Sequence, residues 1–169
     1  PHDVLFQMMQ YSDIIFGDQN EWEIASGVPH IPFEALDENY VIDKEAYLEY
    51  FRKMHNLFPK CKKMVMAVRN QIASSHHTLS GLLYDAVEDQ LYTTRIYDIE
   101  PIVDPMGVGD AFVAAYIHAH QKWGDKNQYC LDFSLSASAI KNTIPGDQNL
   151  VSEEEIISNM TSSGGRIQR

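Results

Sequence analysis

The sequence predicts an α/β fold, in which helices cover the faces of a β-sheet. Short apolar runs of strand length, residues 14–16 and 64–68, are separated by stretches with helical periodicity. Late in the chain, the apolar residues 101–103 are typical of a strand end, a turn with two glycines follows, and an amphipathic run begins at Asp110. In open α/β sheets, ligands bind at the carboxyl ends of strands, so this turn is the first place to look for a site.

Length and composition limit the classes of protein to which the chain can belong. A chain of 169 residues with 44% hydrophobic residues can form one domain with a buried core. A formal net charge of −11 argues against a nucleic-acid surface and against binding to anionic lipid. No long uncharged apolar run is present, so we expect no membrane span. Cys61 and Cys130 lie far apart without CxxC spacing or a signal peptide, which favours buried thiols and a cytoplasmic location.

The first elements bring two carboxylates to a strand end. Residues 4–9 have helical spacing, residues 14–16 are a strand candidate, and a helix is predicted from Asp18 to about Gly27, where a glycine fits a C-terminal stop. Asp18 and Glu21 are either a capping box or outer-sphere ligands of Mg²⁺, which takes hard oxygen ligands and keeps several waters. Local sequence leaves both interpretations open.

The middle of the chain predicts one helix between two irregular or extended stretches. Residues 28–40 contain prolines and mixed polarity, which favours an irregular segment. A helix is predicted from Asp43 to about Leu57. One face of it carries side chains that we expect in the core: Ala46, Tyr47, Tyr50, Phe51 and Met54.

Three strands are predicted next. The basic entry at residues 62–63 leads into a buried strand that ends at Arg69 and Asn70. Residues 78–84 and 91–97 form a predicted strand pair, the second at a sheet edge. The adjacent histidines 76 and 77 would point to opposite faces of a strand, so we predict a surface role for them rather than a Ser–His or metal site.

After the glycine turn the pattern is helical. One helix is predicted from Asp110 to Trp123 and a second, rich in small residues, from Tyr129 to about Asn142. After a turn at residues 143–147, a capping box of Ser152 and Glu155 starts a last helix that ends near residue 160. We predict that residues 161–169 are a flexible tail.

The turn itself is suited to an anion. Gly107 and Gly109 allow close approach to the backbone, and the free amides and dipole of the following helix favour negative charge, so a phosphate is the natural ligand. Asp110 at this position is either an ordinary helix cap, which local chemistry favours, or a base beside a phosphoryl group.

Two motifs together resemble the ribokinase-like carbohydrate kinase family, also called the phosphofructokinase B family. Residues 104–110 are similar to its signature Asp-Thr-Thr-Gly-Ala-Gly-Asp, and residues 18–27 are similar to its Asn-x-x-Glu segment, with Glu21 at the Glu. The likeness covers residues 10–160 and the carboxyl-terminal part of a family member. It implies a partial three-layer Rossmann-like ribokinase fold over residues 1–160, in which the amino-terminal strands and the lid are absent.

The resemblance also implies roles for individual residues. Asp110 would be the general base that takes the proton of a sugar hydroxyl as it attacks the γ-phosphate of ATP. The backbone amides of Gly107, Val108 and Gly109 would form the anion hole. Cation ligands would be Glu21 and Asp18, which hold Mg²⁺ through water, and Asp104, which lies near a candidate monovalent cation.

Adenine would lie between the loop after Val68 and the small-residue helix, so the nucleotide-binding residues would be Arg69, Asn70, Ser138 and Asn142. Three departures from the family pattern affect these roles. Pro105 and Met106 replace two threonines and lose their hydroxyls, Asp18 replaces Asn, and Arg69-Asn70 replaces an apolar residue and a glycine.

Within the family, the sequence of residues 17–23, 69–71 and 137–146 is most similar to that of 2-keto-3-deoxygluconate kinases. The expected function is ATP-dependent phosphorylation of a small sugar or keto-deoxy sugar acid, with this chain carrying the ATP-binding and catalytic-base half. The alternative is a truncated nucleotide-binding or structural module without activity of its own. We expect a small-molecule sugar as partner, no nucleic acid and no membrane, and leave a homo-oligomer open.

Overall fold

The computed structural model describes residues 2–32 and 41–162. The helices within these ranges are α1 (His2–Met9), α2 (Gln19–Ser26), α3 (Lys44–Leu57), α4 (Val108–Trp123), α5 (Asn127–Lys141) and α6 (Glu153–Thr161). The strands are β1 (Ile14–Gly17), β2 (Lys63–Ala73), β3 (His76–Asp85), β4 (Gln90–Thr93) and β5 (Tyr97–Ile99). Helices both precede and follow the strands along the chain, and the α/β prediction is confirmed.

The described strands form one mixed sheet in the order β1-β2-β3-β4. The β1 strand runs parallel to β2, while β2 and β3 form a long antiparallel hairpin. Both β4 and β5 pair antiparallel with β3, β4 along residues 82–85 and β5 along residues 77–79. These two short strands therefore lie end to end at the sheet edge opposite β1.

The sheet has a hydrophobic core on each face. Successive β2 residues alternate between the two cores, because side chains along a strand point to opposite faces. Val65 lies in a core with Phe112 of α4 and Leu131 of α5. Met64 lies in the other core, which includes Phe51 of α3 and the buried Trp22 of α2. The result is a helix–sheet–helix sandwich, which confirms the predicted three-layer architecture.

The helix boundaries follow the predicted capping signals. Asp18 and Ser152 each close a capping box with the glutamate three residues on, and Gly27 ends α2 in the left-handed conformation. On α3, Asp43 caps the amino end, and the predicted apolar face is buried except for the half-buried Ala46. Because a cap satisfies amides that would otherwise lack partners, these helix starts could be located from sequence.

Three strand predictions differ from the structure. The β2 strand continues past Asn70 to Ala73, because β3 begins at His76 and pairs with it there. Residues 101–103 form no strand; Pro101 has no N–H to donate, and the amides of Ile102 and Val103 donate to the carbonyls of Ser75 and Asn142 instead of to a ladder. The predicted strand at 91–97 is divided between β4 and β5.

The surface role predicted for the two histidines was also wrong. His77 is buried on β3, and His76 pairs with Asp98 across to β5, with Nε2 and Oδ1 at 2.5 Å. Burial, with Arg69 and His76 nearby, lowers the pKa of His77. The hairpin extension that lengthened β2 is what draws both residues into the sheet.

Both cysteines are free and buried, as predicted, and burial raises the pKa of the Cys61 thiol to about 11. In the described ranges, no helix is long and apolar enough to cross a membrane. Residues 28–32 and 41–43 have no regular structure, while most of the predicted irregular segment, at 33–40, lies outside the described residues. Of the predicted tail, Thr161 still belongs to α6, and residues 163–169 are likewise not described.

Candidate active site

A cleft of about 480 Å³ opens where the carboxyl end of β1, the middle of β2 and the amino end of α4 meet. It is lined by residues that lie far apart in the sequence. They include Gly17, Asp18, Gln19, Asn20, Glu21, Val68, Arg69, Pro105, Val108, Gly109, Asp110 and Ser138. The fold therefore brings both sequence motifs of the prediction to one place.

The glycine turn positions the start of α4. Gly107 is the N-cap residue, in the left-handed conformation with φ 72°, and no side chain caps the helix. A Cβ at Gly107 would lie 2.3 Å from the carbonyl oxygen of Asp147, so only glycine fits. Among the described residues, the amides of Val108 and Gly109 donate no hydrogen bond. They face the cleft with their N–H groups available to an anion.

Asp110 lies in the first turn of α4 but does not cap it. The helix begins at Val108, two residues earlier than predicted, and its cap is Gly107. The cap interpretation that local chemistry favoured is therefore wrong. The exposed Asp110 carboxylate has no hydrogen bond or ion pair with any described residue, and it lines the cleft. A carboxylate left free beside unpaired amides can accept a proton from a bound group.

Asp18 and Glu21 form a capping box and line the same cleft. Glu21 N donates to Asp18 Oδ1 at 2.9 Å, and Asp18 N donates to Glu21 Oε2 at 3.0 Å. Each carboxylate has a second oxygen that takes no hydrogen bond from the described residues. The two interpretations of this pair are therefore compatible, because one oxygen of each side chain caps the helix and the other can face a hydrated cation.

No direct metal cage is present among residues 2–32 and 41–162, since no three His, Cys, Asp or Glu side chains converge on one point. Asp18 and Glu21 thus fit a Mg²⁺ ion held through water and through ligand oxygens rather than an all-protein site. Gly17 lies against Trp22 and Glu21 at this part of the cleft, where there is no space for a side chain. A Cβ there would lie 2.2 Å from Nε1 of the buried Trp22 and 3.1 Å from Glu21 Oε2.

The four predicted nucleotide-binding residues separate into two groups. Arg69 and Ser138 line the cleft, and the exposed Arg69 guanidinium has no ion pair with a described residue. Ser138 donates its hydroxyl to the carbonyl of Val108 at 3.0 Å and so ties α5 to the start of α4. Asn70 and Asn142 are buried and do not line the cleft.

Asn142 holds the segment that leads into the glycine turn through backbone hydrogen bonds. Its carbonyl accepts from the amides of Val103 and Asp104, and its side-chain amide donates to the carbonyl of Ser138 at 3.0 Å. Asp104 in turn accepts from Met106 N at 2.9 Å and from Gly146 N at 2.8 Å. These two backbone hydrogen bonds, with the charge of Lys141, hold the pKa of Asp104 below its usual range.

Two features of the site were missed by the sequence analysis. Gln19 and Asn20 also line the cleft, and their position directly after β1 could have indicated it. Lys141 lies fully buried under the turn region at the end of α5. Its signal was a single charge closing a stretch of small and apolar residues, 133–140.

No protein-family model matches the chain, and no curated protein matches it significantly. Solved structures do. A 2-dehydro-3-deoxygluconokinase from Thermotoga maritima superimposes with a TM-score of 0.81 and 27% identity, over 95% of this chain and 45% of that one. A PfkB family carbohydrate kinase from Listeria grayi gives a TM-score of 0.74 and 26% identity, over 92% and 43% of the two chains.

The ribokinase of Arabidopsis thaliana, solved with ribose and ATP, shares the fold at a TM-score of 0.67 and 19% identity, over 94% of this chain and 44% of that one. The chain spans less than half the length of each of these proteins. Its fold is that of one part of a PfkB/ribokinase-family carbohydrate kinase, and the predicted resemblance is confirmed.

Proposed function

We propose that this chain, with the fold of part of a ribokinase-like carbohydrate kinase, carries the nucleotide-binding and catalytic-base half of an ATP-dependent sugar kinase. One observation carries the proposal. A single cleft holds the free Asp110 carboxylate, the unpaired amides of α4 and the carboxylates of Asp18 and Glu21. Phosphoryl transfer needs these three kinds of group in one place: a base, an anion hole and a cation site.

Asp110 is the proposed general base. As the sugar hydroxyl oxygen attacks the γ-phosphorus of ATP, its proton passes to the Asp110 carboxylate and the bond from phosphorus to the β-phosphate oxygen breaks, leaving ADP. The amides of Val108 and Gly109 and the dipole of α4 stabilise the charge on the transferred group. The helix holds all of these groups on one rigid element, so they need little rearrangement to act.

The remaining polar groups fit the nucleotide. Asp18 and Glu21 would hold Mg²⁺ through water, and this ion would neutralise charge on the phosphate oxygens. Arg69, which is free of other partners in the described part of the chain, would contact the polyphosphate in place of the hydroxyls lost at Pro105 and Met106. Adenine would extend from Arg69 toward Ser138.

For the substrate we propose a small sugar or keto-deoxy sugar acid, with 2-keto-3-deoxygluconate as the first compound to test. The 27% identity to a 2-dehydro-3-deoxygluconokinase supports that choice. The free thiols of Cys61 and Cys130 support a cytoplasmic location.

The proposal is tested with Asp110→Asn, in protein that includes any sequence encoded upstream of Pro1. Asparagine keeps the shape of the side chain but cannot accept the proton, so turnover of ATP with 2-keto-3-deoxygluconate should fall by roughly 100-fold or more. Affinity for a non-hydrolysable ATP analogue, measured by calorimetry, should change by less than about threefold, because the anion hole and cation ligands remain.

Glu154→Gln is the matched control, since Glu154 is an exposed carboxylate in the first turn of α6 that does not line the cleft. Its turnover should equal that of the unmodified protein. Substantial turnover by Asp110→Asn would remove Asp110 from the mechanism. Absence of phosphorylation of any sugar by the unmodified protein would favour the alternative, a nucleotide-binding or structural module.

The alternative has one structural observation in its favour. Among the described strands, β1 pairs only with β2, so its outer edge has no partner in the sheet. An open edge must be paired, covered or protected. Size-exclusion chromatography of the 169-residue chain with and without upstream sequence separates the cases: a well-behaved monomer of these residues that phosphorylates a sugar would contradict the alternative.

A further inference from the structure

The resemblance implies a monovalent cation near Asp104, and the structure allows its fit to be examined. Both carboxylate oxygens of Asp104 already accept backbone hydrogen bonds, Oδ1 from Met106 and Oδ2 from Gly146. A positive charge is also already present. Lys141, at the end of α5, has no exposed surface, and its charge acts on Asp104.

The contacts of Lys141 resemble those of a bound cation. Its Nζ donates to the carbonyl oxygen of Ile144 at 3.0 Å. Two residues further on, Gly146 donates to Asp104. The ammonium and the carboxylate therefore hold the same loop, residues 142–147, at two nearby positions, Ile144 and Gly146. Carbonyl oxygens and a nearby carboxylate are also the groups that coordinate hard cations in proteins.

A fully buried ammonium is costly unless compensating groups surround it. Among the described residues, Ile144 O is the one acceptor of a hydrogen bond from Lys141, and the Asp104 carboxylate, which is hydrogen-bonded to the same loop at Gly146, is a further compensating charge. Removing the charge of Lys141 would loosen the positions of both groups that it interacts with, the Ile144 carbonyl and the Asp104 carboxylate. An added alkali cation would in contrast meet the repulsion of an ammonium already in place.

We propose that the ammonium of Lys141 takes the place of the monovalent cation next to Asp104 and fixes the loop 142–147 against the glycine turn. The loop matters for the turn because Asp147 lies so close to Gly107 that a Cβ there would be 2.3 Å from its carbonyl oxygen. Lys141 is thus a positioning residue for the amides of α4. Its effect on turnover rests on the proposed kinase function, whereas its effect on the loop does not.

Two substitutions distinguish a built-in cation from a simple buried side chain. Lys141→Met keeps the volume but removes the charge, and it leaves no room for an ion. Lys141→Ala removes the charge and opens space that a small cation can enter. Lys126→Met, at the exposed amino end of α5, is the control. All proteins are studied in chlorides of choline, Na⁺, K⁺ and NH₄⁺ at equal ionic strength.

The first readouts are Tm and hydrogen exchange at the amides of Met106 and Gly146. The unmodified protein and Lys126→Met should show the same Tm in all four salts within about 1 °C. Lys141→Met should lose several degrees, on the order of 5 °C, in every salt and exchange both amides faster. Lys141→Ala should lose as much in choline and recover part of the loss in K⁺ or NH₄⁺.

Turnover, measured in the same salts, should change in parallel with the stability of the loop 142–147. The unmodified protein should need no monovalent cation, while Lys141→Ala should regain activity with K⁺ or NH₄⁺ and Lys141→Met should not. Saturable stabilisation of the unmodified protein by K⁺ would overturn the proposal, even if both Lys141 variants fail to fold. So would unchanged Tm and exchange in Lys141→Met. Lack of turnover in every salt, with the Tm and exchange pattern intact, would contradict the kinase function alone.

Discussion

The two ends of the central sheet differ in whether their charged groups are paired within the protein. At the end where β2 begins and β3 finishes, the buried Lys63 and Asp85 belong to a cluster of paired polar groups. At the other end, where β1 finishes and α4 begins, the side chains of Asp110 and Arg69 and two backbone amides line a cleft and have no partners among the described residues. The same sheet thus carries a structural polar cluster at one end and a candidate catalytic one at the other.

The paired end is centred on Lys63. Its Nζ donates to Asp125 Oδ1 at 2.5 Å and to Asn127 Oδ1 at 2.8 Å, and it lies 3.9 Å from Asp85 Oδ2. Asn127 donates back to Asp85 at 2.8 Å, and the amides of Val87 and Glu88 donate to the other Asp85 oxygen. The buried side chains of Lys63, Asp85 and Asn127 are therefore paired with one another, as buried polar groups usually are.

At the cleft, Asp110 and Arg69 have no partners among the described residues, and the amides of Val108 and Gly109 donate to none. Exposure alone does not explain this difference, because exposed pairs such as Arg52 with Asp89 form elsewhere on the surface. Unpaired groups of both signs around one concave surface are what an incoming anion and its cation would satisfy.

The largest expected effect is at the paired end. Lys63→Met leaves Asp85 buried without its cation, and we expect the free energy of unfolding to fall by about 3 kcal/mol, the low end of the usual range because other donors to Asp85 remain. Urea denaturation measures it. Lys62→Met, next in sequence but exposed and paired with Asp13, should change stability by less than about 1 kcal/mol. Equal losses in the two variants would contradict the distinction between the ends.

A smaller effect, of the opposite kind, is expected at the cleft. A Cβ at Gly109 meets nothing within 4 Å, and alanine favours a helix, so Gly109→Ala should leave stability unchanged or raise it by about 0.5–1 kcal/mol. Because Gly109 lines the cleft, the methyl group would take up space that an anion bound to the free amides needs. We therefore expect affinity for an ATP analogue to fall by about 1.5–3 kcal/mol, measured by calorimetry.

Gly107→Ala is the counterpart of that variant. Because Gly107 has a positive φ and contacts Asp147, the alanine should cost more than about 1 kcal/mol of stability. Substitution of Gly107 should therefore reduce stability, whereas substitution of Gly109 should reduce nucleotide affinity. Full nucleotide affinity in Gly109→Ala would show that no anion lies against these amides.

The smallest effect is expected for Arg69→Gln. Since the guanidinium has no described partner to lose, stability should change by less than about 0.5 kcal/mol. Affinity for the polyphosphate of an ATP analogue should fall by about 1 kcal/mol, roughly fivefold, and the loss should shrink as salt is raised. Arg52→Gln, which removes an exposed arginine paired with Asp89, controls for net charge. If Arg52→Gln lost as much affinity as Arg69→Gln, the loss would be due to the overall charge of the protein and not to a contact of Arg69.

Much of the fold could be predicted from local signals. Capping residues such as Asp18 and Ser152 located helix starts, and the aromatic stripe of α3 located one core, because each depends on neighbours within a turn or two. The hairpin extension at His76 and His77 could not be predicted, since its stability comes from the pairing of two strands. The irregular path of residues 101–103 likewise depends on distant carbonyls, those of Ser75 and Asn142.

The candidate site divides in the same way. The glycine turn, Asp110 and the Asp18–Glu21 pair were all found in the sequence, because anion-binding turns and carboxylate pairs have short-range spacing. Their joint presence in one cleft, the free state of Asp110 and Arg69, and the burial of Asn70 and Asn142 were decided by the tertiary structure.

The sequence by itself determined which groups could meet a phosphate and which helices would carry them, because those properties are local to a turn of backbone. Only the tertiary structure decided which charges remain unpaired. Lys63 and Lys141 are both lysines next to apolar stretches, yet one donates to the side chains of Asp125 and Asn127 and the other to a loop carbonyl near the glycine turn. Pairing between charges depends on positions brought together across the sheet, and spacing along the chain does not encode it.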